Sequence, residues 1–302
     1  MASESNLLTS ISEGMVQAVE KAGKSTVLVN GRHRLPASGI AYAPDLVLTA
    51  DHVVERDEDL SVQLTGGETI PVSIAGRDPG SDLALLRLKD GTVIPAEKAA
   101  QEARVGQIVI ALGRPSPDGI EASLGIVSAV GGPARTWRGG MLERYLRTDA
   151  VPFPGFSGGP LVDAEGRVVG LNTSGLAHGA AITIPAFLAW LDAENLAKYG
   201  YIKRGYLGIR SQLVELSGEL GKALGREQDT GLLLVSVENG SPAQAGGLML
   251  GDILVGIDRQ AVADHDALMV HLSGETVGKP IGVQVLRGGQ PLELTVTVGE
   301  RK

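Results

Sequence analysis

Apolar positions along this chain recur at two different periods. Near the N-terminus the period is helical: Leu8, Ile11, Met15, Val19 and Ala22 fall on one face, which predicts a helix from Leu7 to Ala22. That helix reads either as packed on its own domain or as a subunit contact. From Ser25 to about Pro185 the pattern shortens to runs such as STVLVN, SGIAYA, LVLTA, LALLRLKD, GQIVIALG and RVVGLNT, each bounded by Gly, Pro, Asp or Asn. Many short strands with such punctuation indicate a β-sandwich or barrel. A helical pattern returns in AFLAWLDAENLAKYG, predicting a helix over Ala186–Lys198 with Gly200 as its stop signal. After a linker at Tyr201–Arg204, GYLGIR, GLLLVSV, GDILVGID, PIGVQVLRGG and PLELTVTVG read as strands, interrupted by short helices near Ala243–Gly246 and Asp264–Leu272. The expected organisation is a helical segment (1–22), a mainly β domain (23–200) and a small α+β domain (205–300).

Composition agrees with two domains. A chain of 302 residues with 43% hydrophobic residues can fill two cores. Aromatics are only 3%, so those cores must be built from Val, Ile, Leu and Ala. The 42 glycines suit many turns and close backbone approaches. Net charge is −8 with no basic stretch, which argues against nucleic acid as a partner. With no cysteine, thiolate and disulfide chemistry are excluded. The N-terminus lacks a basic start followed by an apolar run, and no stretch of about 18 apolar residues occurs. The expectation is a soluble cytoplasmic protein without a membrane span. A chain trimmed of a leader would read the same way and would work outside the cytoplasm.

Three segments carry candidate chemistry. LVLTADHVV offers His52 at the corner after an apolar strand, RDPGSDLALLRL offers Asp82, and GFSGGPLVD offers Ser157. Acyl-transfer hydrolysis needs these parts: a nucleophile, a base for its proton, and an acid that orients the base. Taken singly, a histidine or a strand-start aspartate is more often structural. GFSGGP is more telling. Its glycines allow a tight backbone whose N–H groups can point at one spot, as an oxyanion hole requires. The order His, Asp, Ser is that of the chymotrypsin-like double β-barrel, in agreement with the short-strand pattern.

With these segments in view, TADHVV, GRDPGSDLALLRL, TDAVPFPGFSGGPLVD and GRVVGLNT resemble the HtrA group of trypsin-like serine proteases. The similarity runs from about Gly23 to the C-terminus. It implies His52 as general base, Asp82 as its orienting acid and Ser157 as nucleophile. It implies an oxyanion hole from the N–H groups of Gly155 and Ser157, with Phe156 N–H also turned toward it. Thr173 matches a position whose hydroxyl bonds the acid. Val151, Gly175, Leu176 and Ala180 match the specificity pocket. None of these four is charged, so cleavage after aliphatic or medium apolar residues is expected. Two features depart from the family. Phe156 stands where HtrA proteases usually carry Asn and digestive relatives Asp, which removes a polar side chain from the oxyanion loop. The preceding VPFPG is proline-rich, and Pro152 and Pro154 are expected to stiffen the loop instead.

In the C-terminal third, SPAQAGGLMLGDILVGID resembles the bacterial PDZ pattern, with Gly246, Gly251 and Asp252 at the turn before its central strand. A PDZ domain adds an extended peptide to a sheet edge and captures its carboxylate on backbone N–H groups. The resemblance places that loop at Tyr206, Leu207, Gly208 and Ile209, with Leu207, Ile209 and Leu268 lining the side-chain pocket. The implied protein is a serine endopeptidase of protein quality control. It would act on unfolded or damaged proteins and bind peptide C-termini, as a homotrimer, with neither metal nor cofactor. The alternative reading is a weakly active scaffold or chaperone that works mainly through its PDZ domain.

Overall fold

The computed structural model describes residues 6–136, 138, 140–177, 180–216, 224–272 and 276–301. The chain divides into two compact units, Met1–Ile202 and Lys203–Lys302. The first opens with helix α1 (Leu7–Gly23), capped by the Asn6 side chain, which accepts the Leu8 N–H at 3.1 Å. Only Ala18, Ala22 and Gly23 of α1 are buried, so its C-terminal turns carry the packing. At the other end Leu7 and Leu8 are more than 70% exposed, so the predicted apolar stripe is covered over only part of its length.

Two closed six-stranded barrels follow. The first has the order β1 (Thr26–Asn30), β2 (Ala37–Ala43), β3 (Leu46–Ala50), β6 (Leu83–Leu88), β5 (Thr69–Asp78), β4 (Leu60–Gln63). The second has the order β11 (Tyr145–Thr148), β14 (Ala180–Pro185), β13 (Val168–Ala177), β12 (Pro160–Val162), β7 (Ile108–Ser116), β8 (Gly119–Gly131). The elements that position the site are β2, β3, β6, β7, β13 and β14. Strand β3 reads as an unbroken apolar run because both of its faces are covered: all five residues are buried. Val47 points into a cluster inside the first barrel with Val29, Val62 and Leu86. Leu46 and Leu48 point the other way, into a cluster shared with Ile110, Leu112, Leu171 and Ile184 of the second barrel. A third cluster, with Val109, Ala111, Leu146 and Leu161, fills the second barrel. Helix α2 (Ala186–Tyr199) lays Leu188, Ala189, Ala193 and Leu196 on the shared cluster. It stops at Gly200, whose φ of 79° is left-handed, as a C-terminal cap requires.

The second unit is a sheet of order β16 (Ile209–Glu215), β17 (Thr230–Val237), β18 (Ile253–Ile257), β20 (Pro280–Arg287), β21 (Gln290–Thr297), with a small pair of β15 (Arg204–Tyr206) and β22 (Gly299–Arg301). Strand β16 (Ile209–Glu215) is the edge: among the described residues it pairs only with β17 (Thr230–Val237). A short helix, His265–His271, buries Leu268 in the unit's core. Asp252 is also buried. Its carboxylate accepts two hydrogen bonds from Arg287, each 2.8 Å, and one from Met249 N–H, which explains an acid in the turn before the central strand.

Candidate active site

His52 lies in a single 3-10 turn, Asp51–Val53, directly after β3. Asp82 precedes β6 with φ of 55°, a left-handed conformation that aspartate tolerates better than most residues. The two come together because β3 and β6 are paired, Ala50 opposite Leu83. Asp82 is fully buried, and its carboxylate is saturated with donors. It accepts the His52 backbone N–H at 2.9 Å, the ring Nδ1–H at 2.8 Å and the Thr173 hydroxyl. Thr173 Oγ1 in turn accepts Gly175 N–H at 2.9 Å. With Nδ1 donating to Asp82, the unprotonated nitrogen of neutral His52 is Nε2, the atom that can take a proton.

Ser157 sits on a loop that only glycines can make at two points: Gly155 and Gly158 have φ of 93° and 86°. Its hydroxyl lies 3.2 Å from Ser174 Oγ and makes no hydrogen bond to His52. Catalytic hydrogen bonds are often long or unmade without substrate. A side chain at Gly175 would collide with Asp82 Oδ2 at 2.4 Å and with His52 Nδ1 at 2.5 Å, so the backbone of β13 runs directly against the acid–base pair.

The other expected positions sort differently. Phe156 N–H donates to Phe153 carbonyl oxygen at 3.0 Å, so it is not open to an oxyanion. The N–H groups of Gly155 and Ser157 have no protein acceptor among the described residues. The Phe156 ring is fully buried in the second barrel's cluster. It fits because Gly113 makes room: a Cβ there would stand 2.4 Å from the ring. Phe153 meets it edge-on at 5.4 Å between centroids.

A cleft of about 760 Å³ opens beside Ser157, lined by Pro152, Phe153, Ser174 and Ala181 on one side and by Arg32–Leu35 with Glu55 on another. Of the residues expected to form the specificity pocket, Val151, Gly175 and Leu176 are not among its described lining. Val151 is 57% exposed at the surface, Leu176 is turned into the shared core, and Gly175 backs onto His52 and Asp82. Ala180 begins β14. The wall of Arg32, His33 and Arg34 escaped sequence reasoning because the chain around it has no regular pattern. Burial pushes the Arg32 guanidinium below its ordinary pKa, with Glu55 opposing. Arg32 is spent bracing its own loop, donating to the carbonyls of Leu35 and Pro36.

In the second unit Gly208 has φ of 79°, and a Cβ there would meet Ser241 Cβ at 2.3 Å. The loop is pinned through its carbonyls, Gly208 accepting from Glu238 N–H and Leu207 from Ala243 N–H, each at 2.8 Å. The N–H groups of Leu207 and Gly208 have no acceptor among the described residues. Tyr206 hydroxyl donates to Glu238. Leu207 and Leu268 are buried in the core, and Ile209 packs partly against it. His265 Nε2 lies 3.1 Å from Ser211 Oγ, joining the helix to edge strand β16.

Two barrels with a His–Asp pair on one and a glycine-bound serine on the other define the chymotrypsin-like serine peptidase class, here followed by a second β unit. The comparisons sharpen this. Residues 37–171 match the trypsin-like peptidase domain and residues 205–298 the PDZ domain. The periplasmic pH-dependent serine endoprotease DegQ of Escherichia coli (strain K12) is 32% identical over 259 residues, 83% of this chain and 56% of DegQ. The periplasmic serine endoprotease DegP of Salmonella typhimurium (strain LT2) is 31% identical over 268 residues, 85% of this chain and 55% of DegP. The chain thus spans little more than half the length of these curated relatives. Among solved structures, the HtrA-type protease AlgW with tripeptide superposes with a TM-score of 0.78 at 30% identity, covering 95% of this chain and 97% of that one. The chain belongs to the HtrA family of trypsin-like serine proteases carrying a PDZ domain.

Proposed function

We propose that this protein is a serine endopeptidase that cleaves unfolded polypeptides through an acyl-enzyme and binds peptide C-termini on its PDZ unit. The observation that carries this is the chain of hydrogen bonds from Thr173 through Asp82 to His52, beside a serine whose flanking N–H groups are open. In this reading His52 Nε2 takes the Ser157 proton as Oγ attacks the scissile carbonyl. Asp82 stabilises the imidazolium that forms, and the N–H groups of Gly155 and Ser157 receive the oxyanion. His52 then protonates the leaving amine, and water releases the acyl group by the same relay. The apolar wall of Pro152, Phe153 and Ala181 supports cleavage beside uncharged side chains.

The free edge of β16 and the open N–H groups of Leu207 and Gly208 support strand addition with the peptide carboxylate on that loop. AlgW is named with bound tripeptide and decapeptide, which supports peptide ligands here. Exposed Leu8, Ile11 and Val16 on α1 support self-association through the N-terminal region, the trimer being the expected form. The curated relatives are named periplasmic, so they give the cytoplasmic expectation no support and favour a site of action outside the cytoplasm. No helix among the described residues is long and apolar enough to cross a membrane.

A fluorophosphonate probe and unfolded casein test the reading. Wild type is expected to be labelled at Ser157 and to degrade casein, and Ser157→Ala to do neither. An unlabelled wild type that still suppresses aggregation through its PDZ unit would replace the enzyme with a peptide-binding scaffold.

A further inference from the structure

The hydrogen bonds around Ser157 can be counted peptide by peptide, because every backbone N–H and C=O in a buried loop must go somewhere. In the unit joining Gly155 to Phe156, the carbonyl accepts Ser38 Oγ–H at 2.7 Å and the N–H donates to Phe153. In the unit joining Phe156 to Ser157, the carbonyl accepts Gly159 N–H at 2.8 Å. In the unit joining Ser157 to Gly158, the carbonyl accepts Ser38 N–H at 3.2 Å and the N–H donates to Asn172 carbonyl oxygen at 2.8 Å. Two of these three planes are gripped by one residue, Ser38 of β2, which belongs to the opposite barrel.

Ser38 is itself fully held. It is completely buried, its Oγ accepts Arg114 N–H at 2.8 Å, and its carbonyl accepts the Thr49 hydroxyl at 2.7 Å. With Arg114 N–H as its donor, the hydroxyl has one proton left to give, and Gly155 takes it. A peptide unit is planar, and its C=O and N–H point in opposite directions. Fixing the Gly155 carbonyl therefore fixes one side of Gly155, whose own backbone angles, with φ at 93°, set the direction of its N–H. The Phe156 ring, sunk in the second barrel, holds the same stretch from behind.

We propose that Ser38 is a positioning residue for the oxyanion site: its hydroxyl, reaching across from the first barrel, sets the Gly155–Phe156 peptide so that the Gly155 N–H stays open to the reacting oxygen beside that of Ser157. This takes over the task of the polar side chain that Phe156 displaces, and it rests on the assignment of Ser157 as nucleophile.

Ser38→Ala and Ser38→Cys in the full chain test it. Cys keeps the side chain's shape but is a weak donor. The measurements are kcat and KM on a fluorogenic peptide and the Ki of a trifluoromethyl ketone of the same sequence, whose hemiketal oxygen occupies the oxyanion site. Both variants are expected to lose about 10- to 100-fold in kcat with a parallel rise in Ki, while KM moves less than about threefold. Should Ala compromise folding, the near-isosteric Cys variant decides. Recovery of wild-type kcat and Ki by Cys, or a drop in melting temperature with both constants intact, would reduce Ser38 to packing and overturn the proposal. A wild type that neither turns over nor binds the ketone would overturn the nucleophile assignment along with it.

Discussion

At the scale of single residues, the buried carboxylate of Asp82 shows how much of the site is orientation. Its donors come from two barrels, His52 from one and Thr173 from the other. Thr173→Val keeps the shape and removes the hydroxyl, leaving Asp82 short of a donor. The expected result is a loss of about tenfold in kcat with KM little changed, read on a peptide substrate. Ser174 plays the opposite part, since it offers Ser157 an alternative partner. Ser174→Ala is expected to speed fluorophosphonate labelling, and an unchanged rate would show that this contact does not compete with His52. Phe156→Asn restores the polarity usual in the family but empties a ring-sized space beside Gly113. It is expected to destabilise the fold by about 3–5 kcal/mol in chemical denaturation. The motif residues were legible in the sequence through their joint order His, Asp, Ser and the glycines around Ser157, not one by one. The role of Phe156 was not. Its fit depends on Gly113, a glycine in a strand distant in sequence, and no local pattern announces that vacancy.

At the scale of elements, the period of the apolar residues located the helices well. The helix predicted over Ala186–Lys198 is observed over Ala186–Tyr199, and its stop at Gly200 follows from the left-handed φ there. A Cβ there would meet only the Ala75 carbonyl oxygen, in ordinary contact at 3.7 Å, so Gly200→Ala strains the backbone alone. The expected cost is about 1 kcal/mol of stability with hydrolysis unaffected. In the last helix, burial pushes the His271 imidazole below its ordinary pKa, with Asp258 opposing. The unfolded chain then binds that proton more readily than the folded one. The contribution of the neutral ring is complete above pH of about 6.5 and declines as pH falls through that value. Melting curves of wild type and His271→Asn between pH 7.5 and 5 should converge on acidification. The cleft wall at Arg32–Arg34 was the element that sequence patterning did not supply. Of the positions matched to the pocket, Val151 is exposed and Leu176 points into the shared core, since β-strand side chains alternate faces.

At the scale of the molecule, mainly β architecture and two units were both legible, since short punctuated strands and a second run of strands after α2 leave few other packings. What sequence could not supply was the shared cluster between barrels, where Leu48, Leu85, Leu112 and Leu171 meet across long separations. Leu48→Ala is expected to cost about 2–5 kcal/mol, and to reduce kcat as well, because this cluster holds the strands bearing His52 and Thr173 in mutual register.

The division of the reacting groups between the barrels has a consequence for biosynthesis. While the ribosome has delivered only the first barrel, its histidine and aspartate face no serine, and the emerging polypeptide cannot cut itself or its neighbours. On the proposed mechanism, hydrolytic competence arrives only when the later strands close, so the order in which its pieces leave the exit tunnel keeps the nascent chain from acting early.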